Sequence, residues 1–319
     1  MKDLTVVDGL VVSRWSRSLF ENMSRGGLTA VNCSCSIWED FRGSMIRLAE
    51  YKALLRANSD LVMQVYTTED IRKAKAANKV GIYLGWQNTS GIDDQIAFLP
   101  LFHELGVRIM QLTYNTQNLC GSGCYEQRDG GLSDFGRDVI DAMNALGIVI
   151  DLSHVGSVTA DDAIRHSKVP SCYSHIAPRA LKDHPRCKTD EQIRFIIDRG
   201  GFVGVTPFPP FMPRGAASTI EDFIDVLDYV INLAGEGRVG IGTDFSEGSP
   251  YTPDYWIRDK GYGRKLTEFG ELAFPDGFGT SAEYPNLVAA MQRKGWSEKR
   301  IRAVIGENWI GYLGEVWRT

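Results

Sequence analysis

The chain has 319 residues, 43% of them hydrophobic and 24% charged, with a formal net charge of −5 and a sequence pI near 5.6. This acidic composition is that of an ordinary globular protein and argues against a nucleic-acid or anionic-membrane partner. No apolar run approaches the ~18 residues that a membrane-spanning helix needs. The N-terminal residues 1–7 run straight into a strand pattern without the apolar core of a signal peptide, so a cytoplasmic location is expected. In that compartment the six cysteines, Cys33, Cys35, Cys120, Cys124, Cys172 and Cys187, are expected to be reduced thiols.

Eight short apolar runs recur along the chain, at residues 5–9, 29–32, 80–84, 108–112, 148–152, 171–173, 202–205 and 239–242. Most are apolar throughout rather than alternating, the pattern of parallel strands buried on both faces. Helical patterns lie between them. Thr68 opens one, with acids early and bases late. Ser133 can cap a helix over residues 134–146, which Gly147 stops in the left-handed conformation. Stretches beginning at Thr189 and Thr219 show apolar side chains at helical spacing. There is no repeat, no low-complexity stretch and no Pro/Ser/Gly linker, so one domain over residues 1–319 is expected. Strands alternating with helices, with no glycine-rich phosphate loop after the first, predict an α/β chain folded as a (β/α)₈ TIM barrel rather than a doubly wound sheet. Its active site must lie at the C-terminal ends of the strands.

Polar, reactive side chains follow three of these runs. His154 ends Asp151-Leu-Ser-His154, His175 ends Ser174-His175, and Asp244 ends Gly240-Ile-Gly-Thr-Asp244. Two imidazoles are donors suited to Zn²⁺. Arg186, in His184-Pro185-Arg186, is the residue type that reads a planar carboxylate. Cys120 and Cys124 have loose zinc-ligand spacing but no second pair nearby, and packing roles are expected. His103 and His166 sit in polar helical settings at the surface. The segment 206–213, rich in Pro and Phe, reads as a stiff pocket wall, and residues 251–264 read as a lid.

With Asp8-Gly-Leu-Val-Val12, Gly85-Trp-Gln-Asn88, Thr113-Tyr114 and Gly306-Glu-Asn-Trp309, this order of motifs resembles the membrane (renal) dipeptidase family of zinc peptidases over essentially the whole chain. The resemblance implies a binuclear zinc barrel that cleaves dipeptides and related amides. By this likeness His154 and His175 match the ligands of the second metal position, Arg186 the clamp on the substrate carboxylate and Asp244 the proton-handling acid/base. Four positions depart from it. Leu10 and Val12 stand where a His-x-Asp pair holds the first metal, Gln87 where a glutamate bridges both metals, and Tyr114 where a histidine polarises the scissile carbonyl. Neither Leu nor Val can donate a lone pair, and a neutral amide offsets no metal charge. At most one Zn²⁺ per chain is therefore expected, on His154 and His175, with Gln87, Tyr114 or Asp244 as an oxygen donor. Tyr114 is also a candidate for acid–base work and for substrate contact.

Three functions stay open on these residues: a one-metal dipeptidase-like amidohydrolase acting on a small carboxylate-bearing amide, a metal-free acid–base enzyme on a similar substrate, and a silent binding protein. The oligomeric state, a homodimer among the options, is also open.

Overall fold

The structure is a computed structural model that describes Met1, residues 3–248 and residues 272–317. The candidate lid over residues 251–264 lies outside the described residues. Nine parallel strands are found among them: β1 (Val7–Val11), β2 (Ala30–Ser36), β3 (Val62–Gln64), β4 (Val80–Trp86), β5 (Val107–Gln111), β6 (Val149–Asp151), β7 (Cys172–Ile176), β8 (Phe202–Val205) and β9 (Val239–Ile241). Eight close a barrel in the order β1, β2, β4, β5, β6, β7, β8, β9, and β9 returns to β1 at Asp8↔Ile241. Helices follow the strands and cover the outside, which is the expected (β/α)₈ architecture.

The ninth strand, β3, is not foreshadowed by the apolar runs. It has three residues, ends on a polar glutamine and buries only Val62 fully. It pairs with the first half of β4 (Val62↔Val80 to Gln64↔Ile82), and β5 takes over beside the second half from Leu84↔Val107. A second difference concerns β7, which runs on to Ile176 and so carries His175 within the strand.

The local chemistry explains the elements. Every residue of β4 is buried, as both-face burial requires. Ser133 accepts from the Gly136 amide to open the helix Asp134–Leu146, and Gly147 ends it at φ 72°. Thr67/Asp70, Thr189/Gln192 and Thr219/Asp222 form reciprocal capping boxes. No helix among the described residues is long and apolar enough to cross a membrane.

Inside the barrel, the fully buried Trp309 indole donates from Nε1 to the Ile241 carbonyl at 2.9 Å. Two strand glycines make room beside it. A Cβ at Gly9 would lie 2.3 Å from Trp309 Cζ2, and one at Gly204 only 1.9 Å from the Ser174 carbonyl oxygen. The second obstacle is backbone and cannot turn aside. Gly204→Ala is therefore expected to lower stability by at least the ~1–3 kcal/mol typical of overpacking, read as a reduced midpoint in urea unfolding. An unchanged midpoint would show that β7 and β8 can part at that point.

Candidate active site

The site is built outward from two buried carboxylates. Asp151, the last residue of β6, accepts from the Ser153 amide at 3.0 Å, the Ser153 hydroxyl at 2.7 Å and the Ser174 amide at 3.0 Å. Its other oxygen takes a very short hydrogen bond from the Ser174 hydroxyl. Burial pushes its carboxyl above the usual range, and these four donors pull it back. This clamp fixes the residues just before both histidines.

It also fixes a tautomer. Ser174 has one hydroxyl proton, and it is given to Asp151. Its Oγ can therefore only accept at the 2.7 Å contact with His175 Nδ1, so the proton of His175 sits on Nδ1. His154 Nδ1 stands 2.6 Å from Asn115 Oδ1, a carbonyl-type acceptor that also takes the Cys124 thiol at 3.5 Å. His154 thus carries its proton on Nδ1 as well. The two Nε2 atoms, both left with lone pairs, face each other across 2.9 Å. Burial, then the charge of Arg186, hold both imidazoles well below the usual histidine range. Neither is a proton carrier at neutral pH.

Two lone pairs at this distance repel unless a cation lies between them. Each ring also has its remote nitrogen anchored by a hydrogen bond, as metal-binding histidines do. Tetrahedral zinc at ~2.0–2.1 Å from each nitrogen sets its ligands roughly 3.3 Å apart. The pair fits one divalent cation after a small separation. Leu10 is buried, with its backbone tied to Asp8 and to Asp244. Val12 packs in an apolar cluster with Ile37, Trp38 and Tyr114. Among the described residues no group of three or more His, Cys, Asp or Glu side chains could hold a metal, so Asp244 does not join the pair as a third ligand.

Tyr114 stacks on His154, ring centroids 4.1 Å apart and 24° between planes, and meets Trp38 edge-on at 5.2 Å. Gln87 is buried in an amide relay. It donates to the Ser34 hydroxyl at 2.8 Å and accepts weakly from Gln111 at 3.4 Å, and Gln111 in turn accepts the His154 amide at 3.1 Å. Asp244 follows Thr243, which is held by the second buried carboxylate. Asp8 accepts the Thr243 amide at 2.9 Å and hydroxyl at 2.6 Å, the Leu10 amide at 3.1 Å and the Tyr284 hydroxyl at 2.9 Å. Asp244 itself has φ 57°, a left-handed conformation that is strained for an aspartate. Desolvation in the barrel mouth pushes its carboxyl up to about 7, against the pull of Arg186.

Arg186 is buried, not a solvated loop charge, with 1% of its surface exposed. It donates from Nη2 to the His175 carbonyl at 2.8 Å, while Nε and Nη1 have no partner. Lys188, also buried, donates to the Val155 carbonyl at 2.8 Å. Burial pulls its ammonium down to about 8. Neither cation makes an ion pair among the described residues. Phe211, from the aromatic stretch after β8, lies 5.6 Å from the Arg186 guanidinium.

The residues set aside earlier also have places. Cys120 is buried against the Thr89 hydroxyl at 3.3 Å, and Cys124 serves Asn115. His166 meets Asp141 at 3.1 Å on the surface, and His103 is half-buried. Asn115, Ser174, Asp151 and His184 were not singled out by residue pattern. The roles of Asn115, Ser174 and Asp151 depend on hydrogen bonds between segments far apart in sequence, and that of His184 on its burial, although Asn115 does follow directly on the Tyr114 motif.

A barrel with a histidine pair at its strand ends is a frame on which a metal-dependent hydrolase can be built. The family model for membrane dipeptidase (peptidase family M19) matches residues 16–268, and the chain belongs to that family. A solved amidohydrolase from Pseudomonas aeruginosa is 50% identical, with a TM-score of 0.95 over 99% of this chain and 97% of that one. An uncharacterized dipeptidase of Schizosaccharomyces pombe is 32% identical over 208 residues, 63% of this chain but only 50% of that protein, so the match spans half the relative's length. An uncharacterized protein from the pqqA 5′ region of Klebsiella pneumoniae is 26% identical over 282 residues, 85% of this chain and 95% of that one.

The Asp8 clamp carries a pH signature. Desolvation raises its carboxyl from 3.8 to about 6, opposed by its Thr243, Leu10 and Tyr284 donors. Between those values the folded chain keeps a proton that the unfolded chain has released. This contribution to stability is present below pH ~4 and is lost as pH rises through ~6, a change of about 3 kcal/mol. Asp8→Asn should flatten that part of the profile. Urea unfolding of both proteins between pH ~4 and ~7 measures it, and parallel profiles would remove Asp8 as the source.

Proposed function

We propose that this chain is a dipeptidase-type amidohydrolase that works with at most one zinc ion, on a small amide bearing a free carboxylate. The observation that carries this reading is the pair of Nε2 lone pairs held 2.9 Å apart beside a buried arginine with unused donors. His154 and His175 would hold the cation, with Gln87 or Tyr114 as candidate oxygen donors. When bound, it supplies Lewis acidity toward a carbonyl oxygen and toward water. Arg186 binds the substrate carboxylate, whose charge relieves two buried cations that have no ion-pair partner among the described residues. Asp244, poised near neutrality, takes a proton from water and returns it to the leaving amine. Tyr114 backs His154 and offers an aromatic face to the substrate.

A second reading, acid–base chemistry by Tyr114 and Asp244 without metal, draws support from the lack of a third ligand among the described residues. Metal content separates the two. After loading with Zn²⁺ and removal of excess, elemental analysis should find no more than about one equivalent per chain. His154→Ala or His175→Ala should abolish it with the far-ultraviolet circular dichroism intact. Two tightly held equivalents would show a rebuilt first position, and none at all would favour the metal-free route.

Plain L,L-dipeptides are expected to be poor substrates. Leu10, Val12, Gln87 and Tyr114 each replace part of a two-metal apparatus, and the loss of one electrostatic stabiliser typically costs ~10²–10³ in rate. Steady-state assays on a dipeptide panel with Zn²⁺, Mn²⁺ or Co²⁺ test this. A kcat/KM of ~10⁴ M⁻¹s⁻¹ or more on such a substrate would defeat the altered-site reading.

A further inference from the structure

We propose that His184 is a specificity-determining residue: its neutral Nε2–H binds the ligand carboxylate together with Arg186. The proposal rests on the carboxylate-binding reading above and adds a second donor to it. His184 lies in the loop between β7 and the helix Asp190–Asp198, 2% exposed. Its Nδ1 accepts the backbone N–H of Arg186 at 3.1 Å, so Nδ1 bears the lone pair and Nε2 the proton. That Nε2–H is buried and has no partner, as are Arg186 Nε and Nη1.

Buried polar groups are almost always hydrogen-bonded, and an exception asks for a reason. Here three unpartnered donor groups occur two residues apart in one loop. The same wall holds both side chains: Phe211 lies 4.8 Å from the His184 ring and 5.6 Å from the Arg186 guanidinium. Tyr125 closes the other side of His184 edge-on at 6.0 Å. A structural histidine in such packing needs only its Nδ1 acceptor, which holds the Arg186 backbone. The protonated nitrogen has no task within the fold. A carboxylate offers acceptor lone pairs enough for all these donors and brings the negative charge that Arg186 and Lys188 lack. Burial, and then Arg186 itself, pull the ring down to about 4, so His184 acts as a neutral donor through the physiological range.

The two nitrogens can be tested separately. Asn can imitate the Nδ1 acceptor, and Gln the Nε2 donor. The probes are N-acetyl-L-alanine and its uncharged amide, with binding to the full chain measured by titration calorimetry. His184→Asn is expected to weaken N-acetyl-L-alanine by about 10-fold or more, the scale of a lost hydrogen bond to a charged group. The amide should be little affected, and His184→Gln should recover most of the loss. Rescue by Asn but not by Gln, or equal losses for acid and amide, would make His184 a support for the loop and overturn the proposal. Arg186→Lys is the control. If it leaves N-acetyl-L-alanine binding unchanged, the carboxylate-binding reading itself falls. If it weakens binding while His184→Asn does not, only the role of His184 falls.

Discussion

Two buried aspartates hold this site in place. Asp151 takes the hydroxyls of Ser153 and Ser174, and Asp8 takes the hydroxyl of Thr243. Each of those hydroxyl residues immediately precedes a functional one: His154, His175 and Asp244. A strand carboxylate thus ties down the neighbouring strand, Asp151 at the end of β6 to β7 in one case and Asp8 near the start of β1 to the residues after β9 in the other. The consequence is chemical as well as geometric. Because Ser174 spends its only proton on Asp151, His175 must be protonated on Nδ1, and its Nε2 lone pair must face His154. The tautomer is set at the far nitrogen of the ring, through Ser174, by a carboxylate that does not itself touch the imidazole.

The same ring pair explains what the first metal position has become. Val12, Ile37, Trp38 and Tyr114 fill that side of the barrel mouth with apolar and aromatic surface, and Tyr114 lies flat against His154. Neither Leu10 nor Val12 has a lone pair to offer a cation on that side. Asn115, next to Tyr114, adopts φ 62°, and Asp244 across the mouth φ 57°. Such backbone is strained for residues other than glycine and survives where the surrounding structure over-determines it. In both cases the strained residue is one that addresses the site.

The barrel was legible in the sequence because a buried parallel strand leaves an apolar run, as in β4, and because a capping residue marks one helix at Ser133 and helical apolar spacing marks those after Thr189 and Thr219. β3 was not, since three residues ending in Gln64 leave no such trace. His154, His175, Arg186 and Asp244 could be picked out by motif. Their working state could not. Whether Arg186 is a solvated loop charge or a buried cation depends on Phe211 and the β7 backbone, which meet it only in the fold. Asn115 is an ordinary loop residue until its partner is known, because a hydrogen bond between distant segments has no sequence period, and His184 is one until the fold shows it buried against Phe211.

The electrostatics of the site then follow from one imbalance. Arg186 and Lys188 are buried without ion pairs among the described residues, while Asp8 and Asp151 are each occupied by four donors. The surplus positive field lowers the proton affinity of both histidines and keeps them as neutral lone-pair donors. It also opposes the desolvation that raises Asp244, leaving that carboxyl near neutrality rather than permanently protonated. A divalent cation entering this field alone is repelled, and a carboxylate entering alone is attracted. Each favours the other, since the anion offsets the arginine that disfavours the metal. Ligand and metal binding should therefore be coupled positively through charge.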